Sequence, residues 1–296
     1  MARLLLHAKL FIRQNTHLYE GMYGSQRVIV KTAAHSNAEA SILQEAKILS
    51  LCSPHPNIVP LLGTSVHTGD DSLIDSLIDG SLILIYPYVD GGSLESNMRR
   101  LRTTTTEIER LHLVRDIALA CKELESASVY HRDLKASNVL LDQSSSIALL
   151  SDFGVAMQAT SEHVAVMGSP YHMAPELLVA QNSTCGMTTY STQQEMYSFG
   201  VLAYEIISMS TPFLGVVGGL PGTITGTELR RRIVEDDYRP IFRFDNTCNQ
   251  TVELEAAVNL VHRCWSADPN QRPSSFVEIY EELDDLVKTI PRSVLF

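Results

Sequence analysis

Two periodicities divide the chain. Near its start, Val28-Ile29-Val30 and Leu82-Ile83-Leu84-Ile85-Tyr86 are short apolar runs bounded by turn residues, the pattern of buried or half-buried strands. Between them Ile42, Leu43, Ala46, Ile48 and Leu49 recur at helical spacing, which predicts a helix over 37–51. Pro54-His55-Pro56-Asn57 ends that pattern. Residues 71–79 read DSLIDSLID, two repeat units between two strands. Two units are too few for a solenoid, so a hairpin insertion is expected. From Gly91 the period lengthens to that of helices. Ile108, Leu111, Val114, Ile117, Ala118 and Leu124 recur over 107–126, and 196–208 is nearly all apolar, which predicts a buried central helix. Phe276, Val277, Ile279, Tyr280, Leu283, Leu286 and Val287 mark a last amphipathic helix, while polar 180–194 and Gly-rich 214–226 read as loops. A small strand-rich lobe thus precedes a larger helical one, with the extended Pro87-Tyr88-Val89-Asp90-Gly91 between them.

Composition narrows the class. The chain has 296 residues, 45% apolar and 19% charged, with 16 Gly and 12 Pro. That is enough to bury a core, and it is unlike a disordered, collagenous or low-complexity chain. A formal charge of −11 argues against non-specific binding to nucleic acid or anionic lipid, yet allows an anionic ligand held by local cations. Cys52, Cys121, Cys185, Cys248 and Cys264 are odd in number, scattered and without a C-x-x-C pair. Reduced thiols in a cytoplasmic protein are therefore expected, rather than a zinc site or a disulfide framework. No apolar run reaches the ~18 residues that a membrane span needs. The first residues are basic and acid-free up to Glu20, as in transit peptides. His7 and Lys9 interrupt any secretory apolar core, and the stretch is needed as a first strand.

Candidate chemistry concentrates in a few strings. His131-Arg132-Asp133-Leu134-Lys135-Ala136-Ser137-Asn138 is followed, fourteen residues after Asn138, by Asp152-Phe153-Gly154, and later by Ala174-Pro175-Glu176. Upstream, Lys31 ends a strand and Glu45 sits mid-helix. Taken singly, a Lys on a strand or a Glu on a helix is usually solvated, and Asp-Phe-Gly is an ordinary turn. In this order and spacing they resemble the eukaryotic protein kinase family over essentially the whole chain. His55-Pro56-Asn57-Ile58-Val59, Tyr197-Ser198-Phe199-Gly200, Cys264-Trp265, Asp268-Pro269 and Arg272-Pro273 fit the same frame. The resemblance pairs Arg272 with Glu176 as a structural bond.

The resemblance implies an α+β, bilobal protein kinase fold. A small antiparallel-sheet lobe with one helix would cover 1–86, a hinge 87–91 and a larger helical lobe 92–296, all within one protein kinase domain. It implies transfer of the γ-phosphate of ATP, with Mg2+, to a protein hydroxyl. Lys31 would hold the α/β-phosphates with Glu45 orienting it, and Asn138 and Asp152 would ligate Mg2+, a hard cation that prefers oxygen. Asp133 would accept or orient the proton of the attacking hydroxyl, and Lys135 would steady the transferred phosphate. Leu18, Ile29, Lys31, Tyr86 at the gatekeeper position, Pro87, Val89 and Leu140 would surround the nucleotide. Pro87 does no harm there, because the family's hinge uses the carbonyl at that position and the N–H of Val89. Leu49, Leu61, His131 and Phe153 fall where the family stacks its regulatory spine. Lys135 and Gly168-Ser169-Pro170 resemble serine/threonine rather than tyrosine kinases, and the resemblance implies a bond from Ser169 to Asp133. Tyr88-Val89-Asp90-Gly91-Gly92-Ser93-Leu94 resembles the hinge of the tyrosine-kinase-like, receptor-like group. The implied partners are a protein substrate and a regulatory kinase or phosphatase acting on Thr160 or Ser161 within 155–167, where Arg132 can pair with a phosphate.

Three positions depart from the family pattern. Counting back from Lys31, the glycine-rich loop falls at 11–17, which contains no glycine. Glycine there lets backbone N–H groups approach the phosphates, so bulky residues are expected to hold the loop away. The small alanine that touches adenine is replaced by Ile29. The aspartate that begins the central helix is replaced by Glu195, whose extra methylene is expected to displace the acceptor for the backbone N–H groups of the His131-Arg132-Asp133 segment. Two functions follow: an active serine/threonine kinase with its charged residues in place, or a pseudokinase with weak or no ATP turnover that serves as scaffold or allosteric partner. A small-molecule phosphotransferase is set aside, because Ala174-Pro175-Glu176 and Arg272 belong to a protein-substrate platform. Neither Lys31 nor Asp152 is expected to pack the core.

Overall fold

The computed structural model describes residues 4–12, 16–35, 38–52, 54–66, 80–144, 146–160, 162–183, 185–213, 224–244 and 251–288. The smaller lobe is built on one antiparallel sheet. β1 (Leu4–Ile12), β2 (Thr16–Tyr23) and β3 (Gln26–Ala33) form a meander, α1 (Glu39–Cys52) follows, and β4 (Gly63–Val66) and β5 (Leu82–Pro87) complete the order β1-β2-β3-β5-β4. Strand alternation splits β3 between two faces. Val28 and Val30 pack with Leu6, Tyr19, Ile83 and Ile85 on one face. Ala33 packs with Leu84 and with Ile42 of α1 on the other. By the same period of two, Ile29 and Lys31 share that second face with their cross-strand partners Tyr86 and Leu84, and Leu18 joins them opposite Lys31.

The helix expected over 37–51 is α1, while the repeat at 71–79 lies outside the described residues. β5 continues one residue past the expected lobe boundary: Pro87 sits opposite Val28, and the next N–H, that of Tyr88, donates to Arg27 O at 3.1 Å.

The larger lobe follows as α2 (Leu94–Thr104), α3 (Glu107–Ser126), β6 (Val129–Tyr130), β7 (Val139–Leu141), β8 (Ala148–Leu150), β9 (Met157–Gln158), β10 (Val164–Ala165), α4 (Pro175–Gln181), β11 (Met187–Thr188), α5 (Thr192–Ser208), α6 (Gly226–Glu235), α7 (Val252–Cys264) and α8 (Phe276–Val287). The short strands pair as β6 with β9, β7 with β8 and β10 with β11. α5 is buried from Gln194 to Ile207, as its apolar run implies for a central helix. It starts at Thr192, before the expected 196, because the Gln194 side chain reaches back to the N–H and hydroxyl of Ser191 at 2.6 and 2.7 Å. The stretch expected as a loop over 180–194 therefore also carries the end of α4, β11 and the first turn of α5. Residues 214–223 lie outside the described residues, and Gly226 opens α6.

Arg110 is buried at 2% exposure and donates to Thr105 Oγ1, Thr105 O and Ile207 O at 2.8, 2.6 and 2.7 Å. It satisfies carbonyls at the ends of α2 and α5 that no helical partner reaches. Among the described residues the cysteines are free thiols, and no helix is long and apolar enough to cross a membrane.

Candidate active site

The sheet delivers Lys31 to the cleft, and α1 meets it with Glu45. Lys31 Nζ lies 2.7 Å from Glu45 Oε2 and 3.0 Å from Oε1, and donates to Asp152 Oδ1 at 2.7 Å. Burial alone would lower the ammonium pKa, but the Glu45 and Asp152 carboxylates outweigh it and hold it above the ordinary value. Lys31 is 7% and Glu45 1% exposed. This corrects the expectation that Lys31 is no part of the core: its ammonium is the counter-charge of a carboxylate sealed under the sheet. Two further bonds brace the same place. The Tyr86 hydroxyl donates to Glu45 Oε1 at 2.7 Å, and burial, then Glu45, pushes its pKa well up. Ser41 Oγ, one turn before Glu45, donates to Gly154 O at 2.8 Å and ties α1 to the Asp152-Phe153-Gly154 string.

The second cluster lies on the loop between β6 and β7. Asp133 Oδ1 accepts the Ser169 hydroxyl at 2.8 Å, Oδ2 faces Lys135 Nζ at 2.7 Å, and Lys135 also donates to Ser169 Oγ at 2.8 Å. Burial alone would raise the Asp133 pKa, but Lys135 and Ser169 outweigh it and keep the carboxyl below its ordinary range. Asn138 Nδ2 donates to Asp133 O at 2.8 Å and to Oδ2 at 3.0 Å. Its Oδ1 is buried with no hydrogen-bond partner among the described residues. An orphaned amide oxygen on the strand side of Asp133 is the donor type that a hard divalent cation takes, and Asp152 supplies a carboxylate. The two are linked through Ser151, whose N–H and hydroxyl both donate to Asn138 O, at 2.9 and 2.8 Å. The residues present therefore fit Mg2+.

Backbone geometry at both strings is special. Arg132 and Asp152 have φ of 69° and 63°, a left-handed conformation that residues with side chains seldom adopt outside functional sites. Gly168 has φ 112°, and a Cβ there would meet Arg132 O at 2.3 Å, so only glycine lets the Ser169 segment approach the Arg132 loop this closely. His131 and Phe153 stack edge-on with centroids 4.8 Å apart, Leu49 shares the apolar cluster of Phe153, and Leu61 packs against it.

The expected displacement at Glu195 is not found. Its Oε1 accepts the Arg132 N–H at 2.6 Å and the Tyr190 hydroxyl at 2.9 Å. The longer side chain is met by an added donor, Tyr190, which fixes the oxygen where the Arg132 N–H reaches it. Burial nevertheless pushes the Glu195 carboxyl from 4.5 up to about 7. A folded-state pKa above the unfolded one means that the folded chain binds the extra proton between these values. Stability should therefore fall as pH rises from about 4.5 to about 7, by a total near 3 kcal/mol from this group. Glu195→Gln keeps an acceptor oxygen and should flatten that dependence. Urea unfolding at pH 5 and pH 7.5 checks it, and identical pH dependence in both proteins would refute it.

Of the residues expected to surround the nucleotide, Leu18, Ile29, Tyr86 and Pro87 lie on the sheet. Leu18, Ile29, Tyr86, Pro87, Val89 and Leu140 are all half-buried. The glycine-free segment spans the junction of β1 and β2. β1 and β2 pair as far as Ile12 opposite His17, so antiparallel strand takes up most of 11–17, and 13–15 lie outside the described residues. Arg132 is 8% exposed and donates to Ala165 O at 2.6 Å, with the Tyr190 ring 5.6 Å from its guanidinium. Thr160 Oγ1 accepts the Glu162 N–H at 3.1 Å, and Ser161 lies outside the described residues. Sequence reasoning missed Ser41, Tyr190 and the hydroxyl role of Tyr86, none of which carries a local signal.

Comparison with known proteins agrees with this geometry. A family model described as the protein kinase domain matches residues 17–283. The dual specificity protein kinase pyk3 of Dictyostelium discoideum is 28% identical over 285 residues, covering 95% of this chain and 18% of that protein. The serine/threonine/tyrosine-protein kinase HT1 of Arabidopsis thaliana is 26% identical, over 97% of this chain and 68% of HT1. The human dual specificity testis-specific protein kinase 2 is 28% identical, over 90% of this chain and 41% of that protein. The chain thus spans less than a fifth of pyk3 and under half of the testis-specific kinase. With the family model matching nearly end to end, the chain belongs to the eukaryotic protein kinase family and resembles its tyrosine-kinase-like group.

Proposed function

We propose that the chain is an active, Mg-ATP-dependent kinase that phosphorylates serine and threonine hydroxyls of proteins. The observation that carries this is the triangle of Asp133, Lys135 and Ser169, with Asn138 Oδ1 and Asp152 beside it and Lys31 already paired to Glu45. Asn138 and Asp152 would hold Mg2+, and Lys31 the α/β-phosphates. Bound Mg-ATP supplies an electrophilic γ-phosphoryl group. Asp133, kept ionised by Lys135 and Ser169, orients the substrate hydroxyl and takes its proton at a carboxylate oxygen. Lys135 offers positive charge where the transferring group gains negative charge. Ser169 gives that lysine a fixed place, which favours a serine or threonine substrate held close to Asp133. Regulation is proposed through phosphorylation of Thr160 or Ser161, with Arg132 leaving Ala165 O to meet the phosphate. Intact-mass measurement of autophosphorylation, with the modified residues then mapped, tests the function. Phosphotyrosine alone, or no phosphate at all, would overturn it.

Ile29 favours the second reading, a pseudokinase that binds nucleotide poorly. It stands opposite Tyr86 on the cleft face and carries three more heavy atoms than the family's alanine. Overfilling a packed site typically costs about 1–3 kcal/mol, which is roughly 5- to 150-fold in Kd. Ile29→Ala should therefore tighten Mg-ATP binding by a factor in that range without touching any charge. Calorimetry on both proteins checks it: equal affinities would show that Ile29 does not crowd the adenine.

A further inference from the structure

Behind Ser169 lies a pair of side chains that phosphoryl transfer as described does not use. His172 and Glu205 are 7% and 3% exposed. The His172 ring donates from Nε2 to Glu205 Oε2 at 2.9 Å, and the same oxygen accepts the Ala136 backbone N–H at 2.9 Å. Ala136 opens the short turn Ala136–Asn138, so this N–H sits between the lysine on Asp133 and the asparagine offered to the metal. On its other side, the His172 N–H donates to Ser169 O at 2.9 Å, and the His172 carbonyl accepts Ser198 Oγ of α5 at 2.8 Å. His172 Nδ1 is buried without a partner among the described residues, so Glu205 is what aims the ring. A carboxylate enclosed on a central helix needs donors, and here its two donors come from the two segments that must meet at the phosphoryl group.

We propose that His172 is a positioning residue: through Glu205 it locks the segment bearing Ser169 to the turn between Lys135 and Asn138. Without the imidazole N–H, Glu205 keeps a single donor in these contacts and can leave the rotamer that receives the Ala136 N–H. The turn would then loosen, and Lys135 and Asn138 with it. The consequence for catalysis rests on the kinase reading above; the coupling itself is a property of the fold and is read separately.

Amide exchange of Ala136 in the full chain, followed by NMR or by mass spectrometry of peptides cut after exchange, reads the bond directly. His172→Phe keeps a ring and lacks the N–H. Exchange at Ala136 should become about tenfold faster, the size of one charge-assisted bond. In a peptide phosphorylation assay, kcat should fall about tenfold with KM for Mg-ATP within about twofold. His172→Gln, whose amide N–H can face Glu205, should restore both, and His172→Leu serves if the Phe variant does not fold. Unchanged Ala136 exchange in the variants that lack the N–H overturns the proposal. Failure of Gln to restore exchange also overturns it, since His172 would then act through ring packing alone. A wild type with no phosphoryl transfer removes the kinase reading and leaves the exchange result to decide the coupling.

Discussion

Lys31→Met and Asp152→Asn should each slow phosphoryl transfer by ~10²–10³ or more, the usual loss when a preorganised charge facing the phosphates or their metal is removed. They should differ in stability. Asp152 has a side chain 25% exposed, and Asn keeps an oxygen for Lys31, so Asp152→Asn should unfold close to the wild type. Lys31→Met leaves Glu45, 1% exposed, with the Tyr86 hydroxyl but no cation. Removing one member of a buried pair typically costs about 3–5 kcal/mol, because the remaining charge is stranded. Adding Glu45→Gln to Lys31→Met should recover much of that loss while activity stays absent. Radiolabel transfer and urea unfolding on the three variants check both halves. Transfer that survives both single changes sinks the active-kinase reading, and equal stability of the single variants sinks the structural role given to Lys31.

Arg272→Ala should strongly destabilise the larger lobe. The guanidinium grips Glu176 with both nitrogens, at 2.7 and 2.9 Å, and its side chain is fully enclosed. It also donates to Gln193 O at 2.8 Å and Ser266 O at 3.0 Å, and lies 5.3 Å from the Tyr197 ring centre. One side chain therefore joins α4, the start of α5 and the turn before α8. Truncation leaves Glu176 without its cation and several carbonyls without a donor, a loss of about 3–5 kcal/mol, a large share of a typical domain's stability. Arg272→Lys should recover little, since a point ammonium cannot reproduce the planar fork. The urea midpoint and far-ultraviolet circular dichroism measure this, and a loss below about 1 kcal/mol would show that water replaces the guanidinium.

What could be read from the sequence is what is local in the sequence. His131 to Asn138, Asp152 to Gly154 and Ala174 to Glu176 are continuous strings whose spacing carries their chemistry, and the helices at 107–126 and 276–287 follow their apolar period closely. The start of α5 was within reach as well, since Ser191 and Gln194 stand at capping-box spacing ahead of the apolar run. Other features lie in pairings that no local pattern announces. Tyr86 meets Glu45 across 41 residues, and Ser41 meets Gly154 across 113. Glu195 shows the converse: comparison with the family's aspartate suggested a misplaced acceptor, and a tyrosine five residues earlier in the chain supplies the compensating donor. β1 and β2 meet within 11–17, where the family pattern places its glycine-rich loop, and Phe11 and Ile12 lie on the strand that leads into it.

The Tyr86–Glu45 bond also bears on chemical inhibition. A ligand filling the adenine position and reaching deeper between the sheet and α1 would have to break a 2.7 Å bond to a carboxylate that is already the counter-charge of Lys31. Entry costs both that bond and the alignment of the lysine. Compounds confined to the outer half, against Leu18, Ile29 and Leu140, would leave the Tyr86–Glu45 bond intact. A scaffold extended past Tyr86 would have to displace that hydroxyl from Glu45.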